Sequence, residues 1–198
     1  GQPCAFCLAG VRRGFRRRSI EAALRRCTLV ENYFQPASFP MSSDTLEQIR
    51  QILQAAEIEF KEVEHAPTHT SEESAQARGE PLGVGAKALV LRTNDTFRLF
   101  VLPADRKLDW AAVKRKFEVK KVRFATPEEL LELTGLVPGS VPPFGAPILP
   151  IELFADESLG MQYDRIAFNA GSLTHSIIMQ AADWESVSKP QRFSFTKD

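Results

Sequence analysis

No cysteine follows Cys27 in this chain of 198 residues; the three present are Cys4, Cys7 and Cys27. The body therefore has neither a disulfide framework nor a thiol nucleophile, and an odd number confined to one end points to a reducing compartment. Cys4-x-x-Cys7 is half of a zinc-ribbon spacing, and no second pair completes it. Long apolar runs are also missing: none reaches the roughly 20 residues that a membrane-crossing helix needs, so no membrane partner is expected. Net charge is absent as well, with 25 Lys and Arg against 25 Asp and Glu. No global field announces a nucleic-acid binder. Internal repeats and low-complexity segments are lacking, which leaves one ordinary globular domain plus a tail as the expectation.

The charge balance hides an asymmetry. Residues 1–40 carry seven arginines (Arg12, Arg13, Arg16, Arg17, Arg18, Arg25 and Arg26) against Glu21 and Glu31, leaving the rest mildly acidic. An apolar stretch precedes these charges, the reverse of a secretory signal. An Arg-rich, acid-poor start fits an organellar transit segment or an extraneous upstream sequence. Ser19 to Cys27 has the pattern of a short basic helix, and Pro36 and Pro40 then break regular structure. We expect residues 1–40 to be a basic, disordered or loosely docked extension and residues 41–198 to be the folded domain.

In the body, Leu46, Ile49, Ile52 and Leu53 make a helical stripe behind a Ser43 or Asp44 cap. Phe60–Glu64 alternates as a half-exposed strand, and Ser71 is placed to cap a helix ending at Gly79. Ala88–Leu91 has no polar face and reads as a strand covered on both sides, paired through Asn94-Asp95 with Phe97–Leu102. Asp109 caps a helix to Phe117, and Val122–Ala125 is a short strand. Thr126-Pro127-x-Glu129 is a capping box with proline at N1; Leu130, Leu131 and Leu133 would pack that helix and Gly135 end it. Strands are expected around Ile148–Phe154, Arg165–Asn169 and Ser176–Met179, with a last helix from Ala181. Hairpins mixed with crossovers predict a mixed-sheet α/β domain.

Lys87 is a charge at the mouth of an apolar strand, so its side chain either snorkels to water or points into a cleft. Two later loops bear glycine. In Gly135–Gly145 prolines stiffen the backbone while Gly139 and Gly145 let it turn; it is a rigid connector or a frame of free N–H groups for a ligand's oxygens. In Asn169–His175 small and hydroxylated residues suit either a tight turn or close approach of a ligand. Pro67 keeps His65 and His69 off one helical face and no acidic third ligand is evident, so no metal is expected. Lys114-Arg115-Lys116 and Lys120-Lys121-x-Arg123 form the body's basic cluster, a solvated face or a contact for RNA.

Taken together, Gly85-x-Lys87-Ala-Leu-Val-Leu, the Gly139-x-x-x-Pro143 loop and the late Asn169-Ala-Gly171 loop resemble the YbaK/ProX family, relatives of the editing domain of bacterial prolyl-tRNA synthetases. Glu64-His65-Ala66-Pro67 and Phe124–Glu128 fit the same pattern, and the likeness covers about residues 43–187. It implies a curled mixed β-sheet, partly barrel-like, with flanking helices of α+β type. It also implies hydrolysis in trans of mischarged aminoacyl-tRNA, with no cofactor. Lys87 would anchor the aminoacyl ester as the catalytic residue, and the adenosine's vicinal hydroxyl would activate water. Gly139, Ser140, Val141, Pro142 and Pro143 would supply backbone contacts. Asn169, Gly171, Ser172 and His175 would line the pocket, although His175 also reads as a strand cap. Lys114, Arg115, Lys120 and Lys121 would touch the acceptor stem. The substrate would be Cys, Ala, Ser or Thr on tRNA, with a synthetase as a second partner and a cytoplasmic location, or an organellar one if residues 1–40 are a transit segment. The alternatives are action on another small ester and a non-catalytic binding module of the same fold.

Overall fold

The computed structural model describes residues 42–197, so the basic extension and the boundary expected at Met41 lie outside the described residues. Helix α1 (Ser42–Ala55) buries Leu46, Ile49 and Leu53 completely or nearly so, as its stripe predicts. It begins before the expected cap, leaving Ser43 and Asp44 inside its first turn. Strand β1 (Phe60–Glu64) follows, then helix α2 (Ser71–Arg78). Thr70, not Ser71, caps α2: its side chain accepts from Glu73 N while Glu73 reaches back to Thr70 N, and Gly79 closes the helix with φ 69°.

After a 3₁₀ turn (Leu82–Val84) come β2 (Ala86–Thr93) and β3 (Thr96–Pro103), the expected hairpin, paired from Ala86↔Pro103 to Thr93↔Thr96. The order continues with β4 (Lys107–Leu108), α3 (Trp110–Lys116), β5 (Val122–Phe124), α4 (Pro127–Thr134), β6 (Glu152–Asp156), β7 (Arg165–Asn169), β8 (His175–Gln180), α5 (Ala181–Ser188), β9 (Gln191–Phe193) and β10 (Thr196–Lys197). Ile148–Ile151 do not join β6 as the sequence suggests; prolines at 147 and 150 remove the ladder donors, and the strand starts at Glu152. In α4, Leu130 is buried and Leu133 packs beside it, but Leu131 is 53% exposed because it points about 100° away from Leu130 and about 160° away from Leu133.

Three sheets result. A mixed five-stranded sheet runs β5-β2-β3-β6-β9, with β3·β6 and β6·β9 parallel and the other pairs antiparallel. An antiparallel sheet runs β1-β8-β7, and β10 pairs with β4. None of them closes, so the expected mixed sheet with flanking helices is present without a barrel among the described residues.

The five-stranded sheet is buried on both faces. Leu99 and Val101 of β3 join a large core with Val90, Leu153, Phe168 and Trp184, while Phe100 and Leu102 join a second with Leu91, Phe154 and Phe195. This double burial is why β2 lacks a polar face. A single parallel bridge, Gly85↔Ala167, joins the start of β2 to β7 of the other sheet. A methyl group on Gly85 would come within 2.9 Å of the Ala104 methyl, so the seam accepts only glycine there. No helix among the described residues is long and apolar enough to cross a membrane.

At the α4 N-terminus, Glu129 accepts from Arg123, from Thr126 N and from Arg92. The Arg123 hydrogen bonds first, and the Thr126 amide second, pull its carboxyl down to about 2. A carboxylate lowered by folding stabilises above its unfolded pKa and loses that contribution as pH falls toward the folded value. Glu129→Gln should therefore unfold at lower urea than wild type at pH 6. The gap should shrink steadily below pH 5 and close near pH 2, read from urea midpoints across that range.

Candidate active site

Beside the seam between the two larger sheets lies a cavity of about 240 Å³. The first residues of β2 form one wall, α2 and the loop before it a second, and the ends of the two glycine loops a third. Lys87, Gly139, Val141 and Asn169, named from sequence as site residues, line this one space.

Lys87 is half-buried. Its Nζ donates to Arg106 O at 3.1 Å and Ala104 O at 3.4 Å, so it turns inward at the strand mouth instead of snorkelling out. Burial lowers its pKa, and the nearby negative charges of Glu72 and Asp105 partly oppose that shift.

Asn169, the last residue of β7, is the junction of the site. Its Oδ1 accepts from Arg78 Nη2 at 2.6 Å and from Ser176 Oγ at 2.9 Å, and its Nδ2 donates to Gly139 O at 2.8 Å. The two loops are stitched again where Gly171 N donates to Ser140 O at 3.0 Å. Gly139 and Gly171 both sit in the left-handed region, with φ 88° and 78°. A side chain would strain either turn.

The remaining loop residues named from sequence do not line the cavity and instead build its frame. Ser140 is buried, with its hydroxyl bonded to Val137 N and O. Pro142 and Pro143 are buried, and the Pro143 carbonyl accepts from Trp184 Nε1 at 2.9 Å. Ser172 Oγ bonds the Thr174 hydroxyl and amide, and His175 Nδ1 lies 2.9 Å from Thr174 Oγ1, so that loop is knitted internally. The basic residues Lys114, Arg115, Lys120 and Lys121 are exposed. They cluster near β5, which pairs with Leu91–Thr93 at the other end of β2 from Lys87. Counting along β2 from Lys87 to Thr93, the partner of Val122, places Lys120 and Lys121 roughly 20 Å from Lys87.

Sequence reasoning missed Arg78, Thr68 and Ser74. Arg78 donates through Nε to Ser176 Oγ at 2.9 Å, through Nη2 to Asn169, and through Nη1 to Ala167 O at 3.4 Å. Burial lowers its pKa to about 10, which still leaves it cationic at neutral pH. Ser74 Oγ donates to Thr68 Oγ1 at 2.9 Å within the same wall. His65 Nε2 lies 2.7 Å from Ser176 Oγ, and its Nδ1 is 2.8 Å from Ala66 O. The Ser176 hydroxyl thus has one proton to share between His65 and Asn169. An arginine ahead of a helix-ending glycine looks solvated in sequence; its partners stand about ninety residues away, and no local signal marks them.

The arrangement offers an inward cation, a rigid backbone turn and a desolvated polar wall. Such a set holds an oxygen-rich ligand and supports charge that develops on it.

Residues 65–187 match the aminoacyl-tRNA editing domain family. The multifunctional Ser/Thr-tRNA deacylase ProXp-y of Escherichia coli K12 is 33% identical over 160 residues, covering 78% of this chain and 95% of that protein. A proline–tRNA ligase of Staphylococcus haemolyticus is 31% identical over 98 residues, 50% of this chain but 17% of the ligase. Among solved structures, one described as a candidate trans-editing enzyme for prolyl tRNA synthetase superposes with a TM-score of 0.66 at 26% identity, covering 78% of this chain and 98% of that one.

Because Asn169 satisfies the Gly139 carbonyl and Arg78 together, Asn169→Ala leaves both short of a partner. The expected cost is about 1–3 kcal/mol of stability, with faster amide exchange at Gly171, and equilibrium denaturation with hydrogen exchange measures both.

Proposed function

The chain belongs to the aminoacyl-tRNA editing domain family, and from that premise we propose that it hydrolyses the ester joining a small amino acid to the 3′ end of tRNA. The observation that carries this reading is the convergence of Lys87, Gly139, Val141 and Asn169 on one cavity. At about 240 Å³ it is smaller than the roughly 300–1,000 Å³ typical of drug-sized ligands. That suits an aminoacyl end better than a whole nucleotide. Of the candidate residues Cys, Ala, Ser and Thr, we favour Ser and Thr. The hydroxyl-bearing wall of Thr68 and Ser74 supports this choice, as does the likeness to a Ser/Thr-tRNA deacylase.

In this reading Lys87 is the catalytic residue that holds the ester end, and Gly139 to Val141 present backbone to the acyl group. Asn169 keeps that backbone in place through the Gly139 carbonyl. Water activated by the neighbouring ribose hydroxyl attacks the carbonyl carbon, the acyl C–O bond breaks, and the ribose oxygen takes up a proton. A nucleophile from the protein is not required, in keeping with a body that has no cysteine. Lys114, Arg115, Lys120 and Lys121 would receive the paired stem once the 3′ end is lodged. The kinship with part of a proline–tRNA ligase makes a synthetase a natural source of the acylated tRNA.

On a panel of Ser-, Thr-, Ala- and Cys-tRNA, the seryl and threonyl esters should be hydrolysed fastest. Lys87→Ala should lower kcat on the order of 100-fold with the unfolding midpoint retained; an unimpaired variant would remove the lysine from the mechanism. Replacing Lys120 and Lys121 together by Ala should raise KM, leave kcat alone, and flatten the dependence of log(kcat/KM) on log salt by about one to two units. An unchanged salt slope would return these lysines to a solvated face.

A further inference from the structure

Two cations face the cavity, and none of its lining residues is an Asp or Glu. The Arg78 guanidinium is met by three acceptors, Ser176 Oγ, Asn169 Oδ1 and Ala167 O, all of them neutral. A guanidinium has five N–H donors, so two remain uncommitted, one on each terminal nitrogen. Lys87 likewise rests on two backbone carbonyls, with Glu72 and Asp105 acting on it only through space. Asn169 cannot turn its oxygen away to relieve Arg78, because its amide nitrogen is committed to Gly139 O. A charge kept out of water with only neutral partners is costly, and a ligand that brings negative charge recovers that cost.

The ester group at the acyl end of the substrate brings none, since the charges of the tRNA lie on its phosphates. Its carbonyl is neutral until water adds. When the acyl C–O bond breaks and the ribose oxygen takes a proton, the acid that forms sheds a second proton, and one negative charge is shared by two oxygens. Carboxylates are the partners that guanidinium N–H groups match in geometry as well as charge.

We propose that Arg78, with Lys87, forms a receptor for the carboxylate of the released amino acid, so that the cavity binds a small amino-acid anion and product competes with acylated tRNA. This rests on the deacylase reading of the same site. It makes free serine or threonine an inhibitor of the chain's own turnover, and it gives Arg78 a role that no substrate contact requires.

The experiment compares L-serine with L-serinamide on the full chain, by calorimetry or ligand-detected NMR and as inhibitors of Ser-tRNA hydrolysis. The two probes share side chain and ammonium group and differ in the carboxylate. Serine should bind and compete while serinamide does neither. Arg78→Gln should weaken serine binding roughly tenfold or more, and Arg78→Lys should restore part of it. Equal binding of the two probes, or no serine binding across its soluble range, overturns the proposal, and neither result depends on a variant that folds. A chain that hydrolyses Ser-tRNA but ignores serine keeps the deacylase reading and loses the receptor. One that binds serine through Arg78 but hydrolyses no aminoacyl-tRNA keeps the receptor and loses the deacylase.

Discussion

The side chain of Asn169 makes three hydrogen bonds, and through them helix α2, strand β8 and the Gly139 loop hold one another in place. Two of these partners lean on it for different reasons. Gly139 O sits in a turn with no ladder to join, and Arg78 is a cation removed from water. A primary amide accepts at its oxygen and donates from its nitrogen without carrying a charge. Aspartate at this position would neutralise Arg78 but set a negative oxygen against the Gly139 carbonyl. The neutral amide keeps the cavity's positive charge available and its rear wall rigid at once.

The sheets explain where that junction can exist. β2 is buried on both faces by two separate apolar cores, so only its end is open to polar chemistry. There the Gly85↔Ala167 bridge brings the second sheet alongside. Lys87 lies just past that bridge in β2, and Asn169 lies two residues beyond it in β7. The cavity is therefore a product of two sheets that meet without merging. Its walls belong to elements whose cores are packed independently of it.

Much of this was legible in the chain, and the parts that were not have physical reasons. Helix caps at Asp109 and Thr126, the left-handed stops at Gly79 and Gly135, and the hairpin at Asn94-Asp95 are local events, written within a few residues of where they act. The short strands β4, β9 and β10 carry too few residues for an alternation to show, and they form because a partner strand is waiting. Lys87, Gly139, Val141 and Asn169 stood out as a charge or turn-former beside apolar strands. Arg78 did not, since its environment is assembled by Asn169 and Ser176 from a distant part of the chain. Ser140, Pro142 and Pro143 looked like ligand contacts because a rigid loop and a binding loop have the same composition. Their side chains are buried, and neighbouring Gly139 and Val141 line the cavity.

The two indoles pack in different cores. Trp184 is fully buried with its N–H on the Pro143 carbonyl, and Trp110 packs edge-on at 5.0 Å against half-exposed Phe124 in the basic region. Their emission should differ in wavelength, the enclosed ring bluer than the partly wetted one. Intrinsic fluorescence thus separates two events without any label: movement of the Gly139–Gly145 loop alters the first signal, and arrival of a polyanion over the lysines alters the second.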